Sequence, residues 1–313
     1  MENGIVIRTT GSHYSVRTKT GDVFECRIKG NFRIRDIKST NPIAVGDRVE
    51  FIPPSTTSEG LIVKISDREN TLVRRSTKLS KRSHIIAANV DEAFLIATIA
   101  SPRTSTGFID RFLVSTFAYN IPTKIIFNKV DIYDENMQED LLHLCDIYKS
   151  IGYECLCVSA KRGDNIEELR LRLKGKTSLL AGHSGVGKSA LINVLDNSFQ
   201  LKEGEISTSH LKGKHTTTFA QMFSLSFGGN IIDTPGIKEF GMFDFKKEEV
   251  ALYFPEMKKR LEYCQYYNCT HTHEPNCAIK KAVEEGEIPL ERYQSYISII
   301  NGEELKIEKW EDR

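Results

Sequence analysis

Gly182-His183-Ser184-Gly185-Val186-Gly187-Lys188-Ser189 is the stretch on which the reading of this chain turns. It fits G-x-x-x-x-G-K-S in full. The run before it, Thr177–Ala181, reads as a strand, and Lys188–Leu195 reads as a helix, so the glycines fall at a strand-to-helix turn. That context makes a phosphate loop. Glycines let successive backbone N–H groups turn inward around phosphate oxygens, and the helix that starts there adds the positive end of its dipole. Lys188 is placed to reach the β and γ phosphates, the Ser189 hydroxyl to ligate Mg²⁺, and Ala190 to close the contact stretch. The loop does not choose a base, since adenine and guanine nucleotides both use it.

Strands and helices alternate upstream of this loop. Ala93–Ile99 is an apolar run suited to a buried parallel strand. After it the patterning predicts a helix over Asp110–Tyr119, a strand over Thr123–Phe127, a helix over Gln138–Ser150, a strand over Glu154–Val158 and a helix over Asn165–Leu173. Such alternation implies a parallel sheet wrapped by helices. Downstream, Phe219–Ser226 and Asn230–Ile232 flank Gly228-Gly229 as a hairpin.

The base is chosen at Asn128-Lys129-Val130-Asp131, directly after the strand Thr123–Phe127. An ionised carboxylate at Asp131 only accepts hydrogen bonds. It therefore matches the adjacent ring N–H and amino group of guanine, an arrangement adenine lacks. Leaving such paired polar groups unmet makes the discrimination large. Asn128 is suited to tie neighbouring loops together, and the stem of Lys129 to pack on the base. Ser159-Ala160-Lys161 ends the next strand, where backbone N–H groups can meet the guanine carbonyl. Asp233-Thr234-Pro235-Gly236 ends the hairpin: Asp233 can hold Mg²⁺ through water, and the Gly236 N–H can sense a γ-phosphate. Between them lies Gly213-Lys214-His215-Thr216-Thr217-Thr218, where Thr217, with Thr216 as the alternative, is the expected Mg²⁺ ligand. Ile237 stands where many GTPases carry a water-orienting glutamine. His215 takes either of two roles, reaching the γ-phosphate as a catalytic group or only steadying its loop. All parts of a GTP site are present, but the base-reading pair precedes the phosphate loop. This is a circular permutation, which a parallel sheet tolerates when the original termini lie close together.

Cys264-x₄-Cys269-x-His271-x₅-Cys277 supplies three thiolates and one imidazole, the ligand set of a closed, structural zinc site. His273 is a competing ligand. The other cysteines read as core: Cys155 and Cys157 share one face of a strand, and Cys26 and Cys145 are isolated. Seven cysteines in 313 residues, an odd number, do not suit a disulfide scaffold. The last seventy or so residues are otherwise helical in pattern, over Lys247–Leu261 and Leu290–Ile300.

Before all this, Ile5–Ile7, His13–Thr18, Val23–Ile28, Arg48–Ile52 and Leu61–Ile65 are short β-rich runs punctuated by Gly11, Gly21, Gly46-Asp47 and Pro53-Pro54. Five short strands in so little chain favour a small barrel of the OB type, a fold that binds oligonucleotides. The charge agrees. Residues 1–82 hold 16 Lys and Arg against 9 Asp and Glu, while the remainder holds 27 against 33, so a chain of net charge +1 is basic in front. Arg27, Lys29, Arg33 and Arg35 can line the oligonucleotide face, with Phe24 and Phe32 either stacking on bases or buried in the barrel. Arg74-Arg75-Ser76 to Lys81-Arg82 reads as a basic linker. The boundaries follow: 1–73 as an OB-fold RNA-binding unit, 74–242 as a circularly permuted GTPase unit, and 243–313 as a helical zinc-binding unit. The composition is 40% hydrophobic, no apolar run is long enough for a bilayer, and the N-terminus does not read as a secretory signal, so the expectation is a cytoplasmic protein without membrane partners.

With these motifs together, the chain resembles the bacterial ribosome small-subunit-dependent GTPase A family, whose members are circularly permuted. The resemblance spans the barrel, Asn128–Asp131, Ser159–Lys161, Gly182–Ser189, Gly213–Thr218, Asp233–Gly236 and the Cys264/Cys269/His271/Cys277 cluster. It implies GTP hydrolysis stimulated by the small ribosomal subunit, a role in late maturation of that subunit, rRNA contact through the barrel and zinc units, and a match of His215 to the family's proposed catalytic histidine. A monomer binding GTP and GDP, with one structural Zn²⁺ and with Mg²⁺ arriving on GTP, completes the expectation. Three rivals stand beside it. They are a permuted GTPase of the large subunit, an RNA-binding scaffold with a silent nucleotide site, and an ATPase.

Overall fold

Alternation in the apolar strands builds the centre of the molecule. Along Glu92–Ala97, Ala93, Leu95 and Ala97 face one buried cluster, while Phe94 and Ile96 face another on the opposite side of the sheet. A strand buried on both faces needs helices on both faces. In the computed structural model, which describes residues 1–28, 42–55, 58–75, 83–199, 220–233 and 246–302, the helices are there. In chain order the strands are β1 Glu2–Thr9, β2 Tyr14–Thr18, β3 Val23–Ile28, β4 Arg48–Ile52, β5 Gly60–Ile65, β6 Thr71–Arg75, β7 Ser83–Ala88, β8 Glu92–Ala97, β9 Thr123–Phe127, β10 Glu154–Cys157, β11 Thr177–Ala181, β12 Gln221–Ser224 and β13 Asn230–Asp233. Helices α1 (Thr106–Ala118) and α2 (Glu135–Ser150) cover one face through Ile109, Phe112, Leu141 and Tyr148. Helices α3 (Ile166–Leu173) and α4 (Lys188–Leu195) cover the other through Leu169, Leu173, Leu191 and Leu195.

The sheet runs β10-β9-β8-β11-β13-β12 and continues without interruption into β1-β2-β3-β5-β4. Its first part is parallel except for β12, which forms the expected hairpin with β13. The second part closes on itself, because β1 also pairs with β4. Five strands closed in the order 1-2-3-5-4-1, with β3 parallel to β5, are the OB barrel. Its interior holds Val6, Val16, Cys26, Val49, Phe51 and Ile62, and Phe24 packs against that core with its ring 5.8 Å from Phe51. Phe24 thus takes the core alternative. Arg27 is ion-paired with Glu59. Lys29, Phe32, Arg33 and Arg35 lie outside the described residues.

Two expectations need correction. The region read as a basic linker from Arg74 to Arg82 begins in strand, since Arg74 and Arg75 close β6, which pairs antiparallel with β7, Thr71 opposite Ala88, and Leu72 and Ala87 are buried in the α1/α2 core. The basic run 74–82 stands between the apolar residues that pair. The long helix expected over Lys247–Leu261 is instead a 3₁₀ segment Lys247–Tyr253, a short helix Pro255–Lys258 and a 3₁₀ turn Leu261–Tyr263. Pro255 lacks an N–H and restricts Phe254 to extended backbone, so the first segment has to stop there.

The C-terminal unit adds the helices Ala278–Glu284 and Leu290–Asn301 and packs its own core on Val114 of α1. One buried ion cluster crosses this junction. Arg292, 1% exposed, lies 2.6 Å from Asp110 of α1 and 2.8 Å from Glu256, with the Phe254 ring 4.5 Å away. Tyr148 of α2 donates to the same Asp110 at 3.0 Å. Removing one member of a buried pair strands a charge, at a cost of about 3–5 kcal/mol. Arg292→Ala should therefore lower the thermal midpoint by many degrees, whereas Arg292→Met, which fills the space, should lower it less once Asp110 and Glu256 are neutralised with it; calorimetry of the series reads both.

Candidate functional site

Strand ends place the nucleotide-reading residues side by side. β9 delivers Asn128, whose Nδ2 donates to the Val186 carbonyl at 2.8 Å and whose Oδ1 accepts from Ala160 N–H at 3.2 Å. One buried amide thus joins the base reader, the Ser159–Lys161 loop and the phosphate loop. Tyr133 pins it from behind, donating to the Asn128 carbonyl at 2.6 Å while accepting from Ile99 N–H at 3.1 Å. Lys129 takes a left-handed backbone (φ 66°), which turns the chain so that its Nζ reaches the Ser101 carbonyl. Asp131 accepts a 2.6 Å hydrogen bond from the Ser159 hydroxyl. That bond, more than the nearby Lys161 and Arg162, holds the Asp131 carboxyl below the usual carboxylate range, so it is an ionised acceptor at neutral pH. Ser159 itself is fully buried, braced by Arg162 N–H.

The phosphate loop forms the opposite wall. Gly182 has φ 150°, and a Cβ there would stand 2.4 Å from the Ile96 carbonyl oxygen; at Gly187, with φ 92°, it would meet Asn128 Nδ2 at 2.4 Å. Only glycine fits these two close approaches. Lys188 points back into the loop, donating to the carbonyls of Gly182 at 2.6 Å and His183 at 2.8 Å. Burial pushes Lys188 down to about 8 and pushes Asp233, at the end of β13, up to about 7. Each charge is short of solvent, and a phosphate chain carrying a divalent cation offers both of them a partner. The loop and the base reader enclose a single cavity of about 580 Å³, lined by Asn128, Lys129, Asp131, Ala160 and Lys161 on one side and Ser184, Gly185, Gly187, Lys188, Ser189 and Ala190 on the other. That volume suits a nucleotide-sized ligand.

A second cluster lies in the C-terminal unit. The ligand atoms of Cys264, Cys269, His271 and Cys277 all fall within 4.8 Å of one another. His271 Nδ1 is 3.6 Å from the Cys264 sulfur and 3.4 Å from that of Cys277. Ordinary Zn–S and Zn–N bond lengths give a tetrahedral S···N edge of about 3.5 Å, so the donor set fits a tetrahedral zinc ion in both chemistry and spacing. The supporting contacts are also built. Tyr293 donates to the His271 carbonyl and Tyr296 to that of Thr270, both at 2.7 Å, while the Glu274 carboxylate accepts from the N–H groups of Thr270 and Thr272 at 2.7 and 3.0 Å. His273 is exposed, bonded to the Thr272 hydroxyl, and stands outside the cluster.

Residues 65–243 match the family described as RsgA GTPase, and residues 3–62 match the RsgA N-terminal domain. The chain belongs to the RsgA GTPase family. It is 51% identical over 303 residues to the small ribosomal subunit biogenesis GTPase RsgA of Christiangramia forsetii, covering 96% of each chain, and 52% identical to that of Bacteroides fragilis, covering 96% of this chain and 97% of the other. Its fold is similar to YjeQ from Thermotoga maritima, with a TM-score of 0.79 and 36% identity over 96% of this chain and 98% of that one. It is also similar to YloQ, a circularly permuted GTPase, with a TM-score of 0.72 and 28% identity over 96% of this chain and 94% of that one.

In this RsgA GTPase several supporting residues escaped sequence reasoning. The segment between β8 and α1 and the first turn of α1 pack on the phosphate loop: Pro102 sits under Gly185, and the Phe108 ring lies 3.7 Å from that of His183. Pro102, five positions past β8, was the available signal; the Phe108–His183 contact had none, since 75 positions separate the two. Of the residues expected at the site, His215, Thr216, Thr217, Gly236 and Ile237 lie outside the described residues.

Proposed function

We propose that this RsgA GTPase binds the small ribosomal subunit, assists its late maturation and hydrolyses GTP in response to it, working as a monomer in the cytoplasm. The observation that carries the reading is the joining of a guanine-type pocket to an OB barrel and a Cys₃His cluster, in a chain that aligns with 96% of the length of a small ribosomal subunit biogenesis GTPase. The barrel (1–73) and the zinc unit (243–313) hold rRNA, and the permuted unit between them (74–242) turns over GTP. Asn128, Lys129, Asp131, Ser159, Ala160 and Lys161 hold the guanine. The backbone of Gly182–Ser189 with Ala190 cradles the phosphates, and Lys188 meets the charge that develops between the β and γ groups. Ser189 and Thr217 hold Mg²⁺, Asp233 supports it through water, and Gly236 registers the γ-phosphate. Cys264, Cys269, His271 and Cys277 hold one structural Zn²⁺.

The test is GTP turnover with and without purified small subunits. Turnover should rise with small subunits and not with large ones; equal rates in all three arms would exclude the reading. In the same assay His215→Ala should leave GTP binding intact and lower stimulated turnover by about a hundredfold or more, the range of a lost proton-transfer or water-orienting group. An unchanged rate would assign His215 to loop support alone.

A further inference from the structure

The zinc-site loop presents an aromatic surface that neither nucleotide binding nor zinc ligation uses. Tyr267 is fully exposed, Tyr263 is 70% exposed and Tyr266 42%. Tyrosine has an apolar body and usually buries most of it, so three bared rings within five residues ask for a partner. The loop that carries them is braced. Cys264 and Cys269 bracket Tyr266 and Tyr267 and both enter the ligand cluster, Cys269 N–H donates to the Tyr266 carbonyl at 3.2 Å, and Asn276 Nδ2 donates to Gln265 at 3.0 Å.

The chemistry around the rings selects the partner. Tyr263 borders a surface hollow with Lys259, Arg260 and Lys281. Arg260, partly buried, is bonded to Glu287, while Lys281 lies 3.6 Å from Glu285 in an exposed pair that a polyanion can replace at little cost. From Tyr263 to Asn268 there is no carboxylate, and Gln265 and Asn268 add exposed amides. Flat rings, amides and cations together match unpaired bases on a phosphate backbone. Duplex RNA hides its base faces and offers rings nothing to stack on.

We propose that Tyr263, Tyr266 and Tyr267 form a stacking platform for unpaired RNA bases, with the lysines beside Tyr263 holding the backbone. The proposal rests on the small-subunit reading only for the source of the RNA, an unpaired rRNA segment of that subunit.

The test uses the full zinc-loaded chain and ultraviolet cross-linking to an unstructured oligoadenylate, scored on the peptide that carries the three tyrosines. That peptide should cross-link to oligoadenylate and not to a duplex of the same length. Tyr266→Ala/Tyr267→Ala should weaken this contact by about tenfold for each stacked ring, while Tyr266→Phe/Tyr267→Phe retains it. Unchanged zinc content and melting midpoint verify the fold, and unchanged unstimulated GTP turnover verifies the nucleotide site. No cross-link on this peptide, equal capture of duplex, or an alanine variant that cross-links like the parent overturns the proposal. An alanine variant that loses small subunits yet cross-links normally would place the rings on a ribosomal protein instead, which also overturns it. A parent that cross-links here but ignores small subunits would refute the small-subunit reading and leave the platform standing.

Discussion

Asp131→Asn should cost the protein about a hundredfold to ten-thousandfold in GTP affinity and transfer its preference to xanthosine triphosphate. The carboxylate faces the cavity and is ionised, so it accepts from both guanine donors at once. Each hydrogen bond to a charged group contributes about 1.5–3 kcal/mol, and both are lost or reversed in the amide. Xanthine carries a carbonyl where guanine carries its amino group, and an asparagine N–H₂ donates to that carbonyl. The fold should not suffer, because the Ser159 hydroxyl that now donates to Asp131 Oδ1 finds an equivalent oxygen in asparagine. Competition of the two triphosphates against a fluorescent GDP measures the exchange. A variant that keeps the parent's ratio of affinities would mean the base lies elsewhere.

Cys277→Ser, or exhaustive chelation, should unfold the C-terminal unit and leave the GTP pocket in place. Structural zinc in small units contributes about 10–16 kcal/mol of apparent folding free energy, more than such a unit holds in reserve. Cys277 and Cys269 are both ligand candidates and members of the apolar cluster with Phe254, Met257, Ile279 and Tyr296, so losing the metal loosens the core directly. Among the described residues, the nucleotide cavity draws no wall from this unit. Hydrogen exchange should therefore show protection lost over 246–302 and kept over 92–199, with GDP binding preserved and small-subunit binding gone. Full protection of 246–302 in the metal-free protein would show that the cluster is not what holds the unit together.

Much of this architecture was legible because its signals are local. A phosphate loop needs its glycines, lysine and serine at fixed local spacing, and β8 is buried on both faces, which leaves the unbroken apolar run Ala93–Ala97. The barrel strands alternate, and the four candidate metal ligands fall within fourteen positions. What escaped is what depends on distant partners or on competing local cues. Arg292 looks like any helical arginine until the fold sets it against Asp110, 182 positions away. The β6–β7 pair hid behind a run of basic residues, because Leu72 and Ala87, partners across the two strands, lie on opposite sides of that run. Pro255 divided a periodic segment that otherwise scans as one helix. At the nucleotide site, Asn128 as the tie between loops followed from its motif, whereas the Tyr133 hydroxyl behind it and the Ser101 carbonyl under Lys129 come from segments that carry no motif.

The barrel and the nucleotide-binding sheet share one hydrogen-bonded ribbon, joined where β1 meets β12 and clasped by Arg17, which reaches across to Asn230 at 2.6 Å. Truncating the chain ahead of β6 would therefore do more than delete the barrel. It would bare β12 as a raw sheet margin, with unpaired N–H and C=O groups one strand away from Asp233. Such a shortened protein should self-associate by edge pairing, and any loss of turnover in it would have to be separated from filament or oligomer formation before being credited to missing RNA contacts.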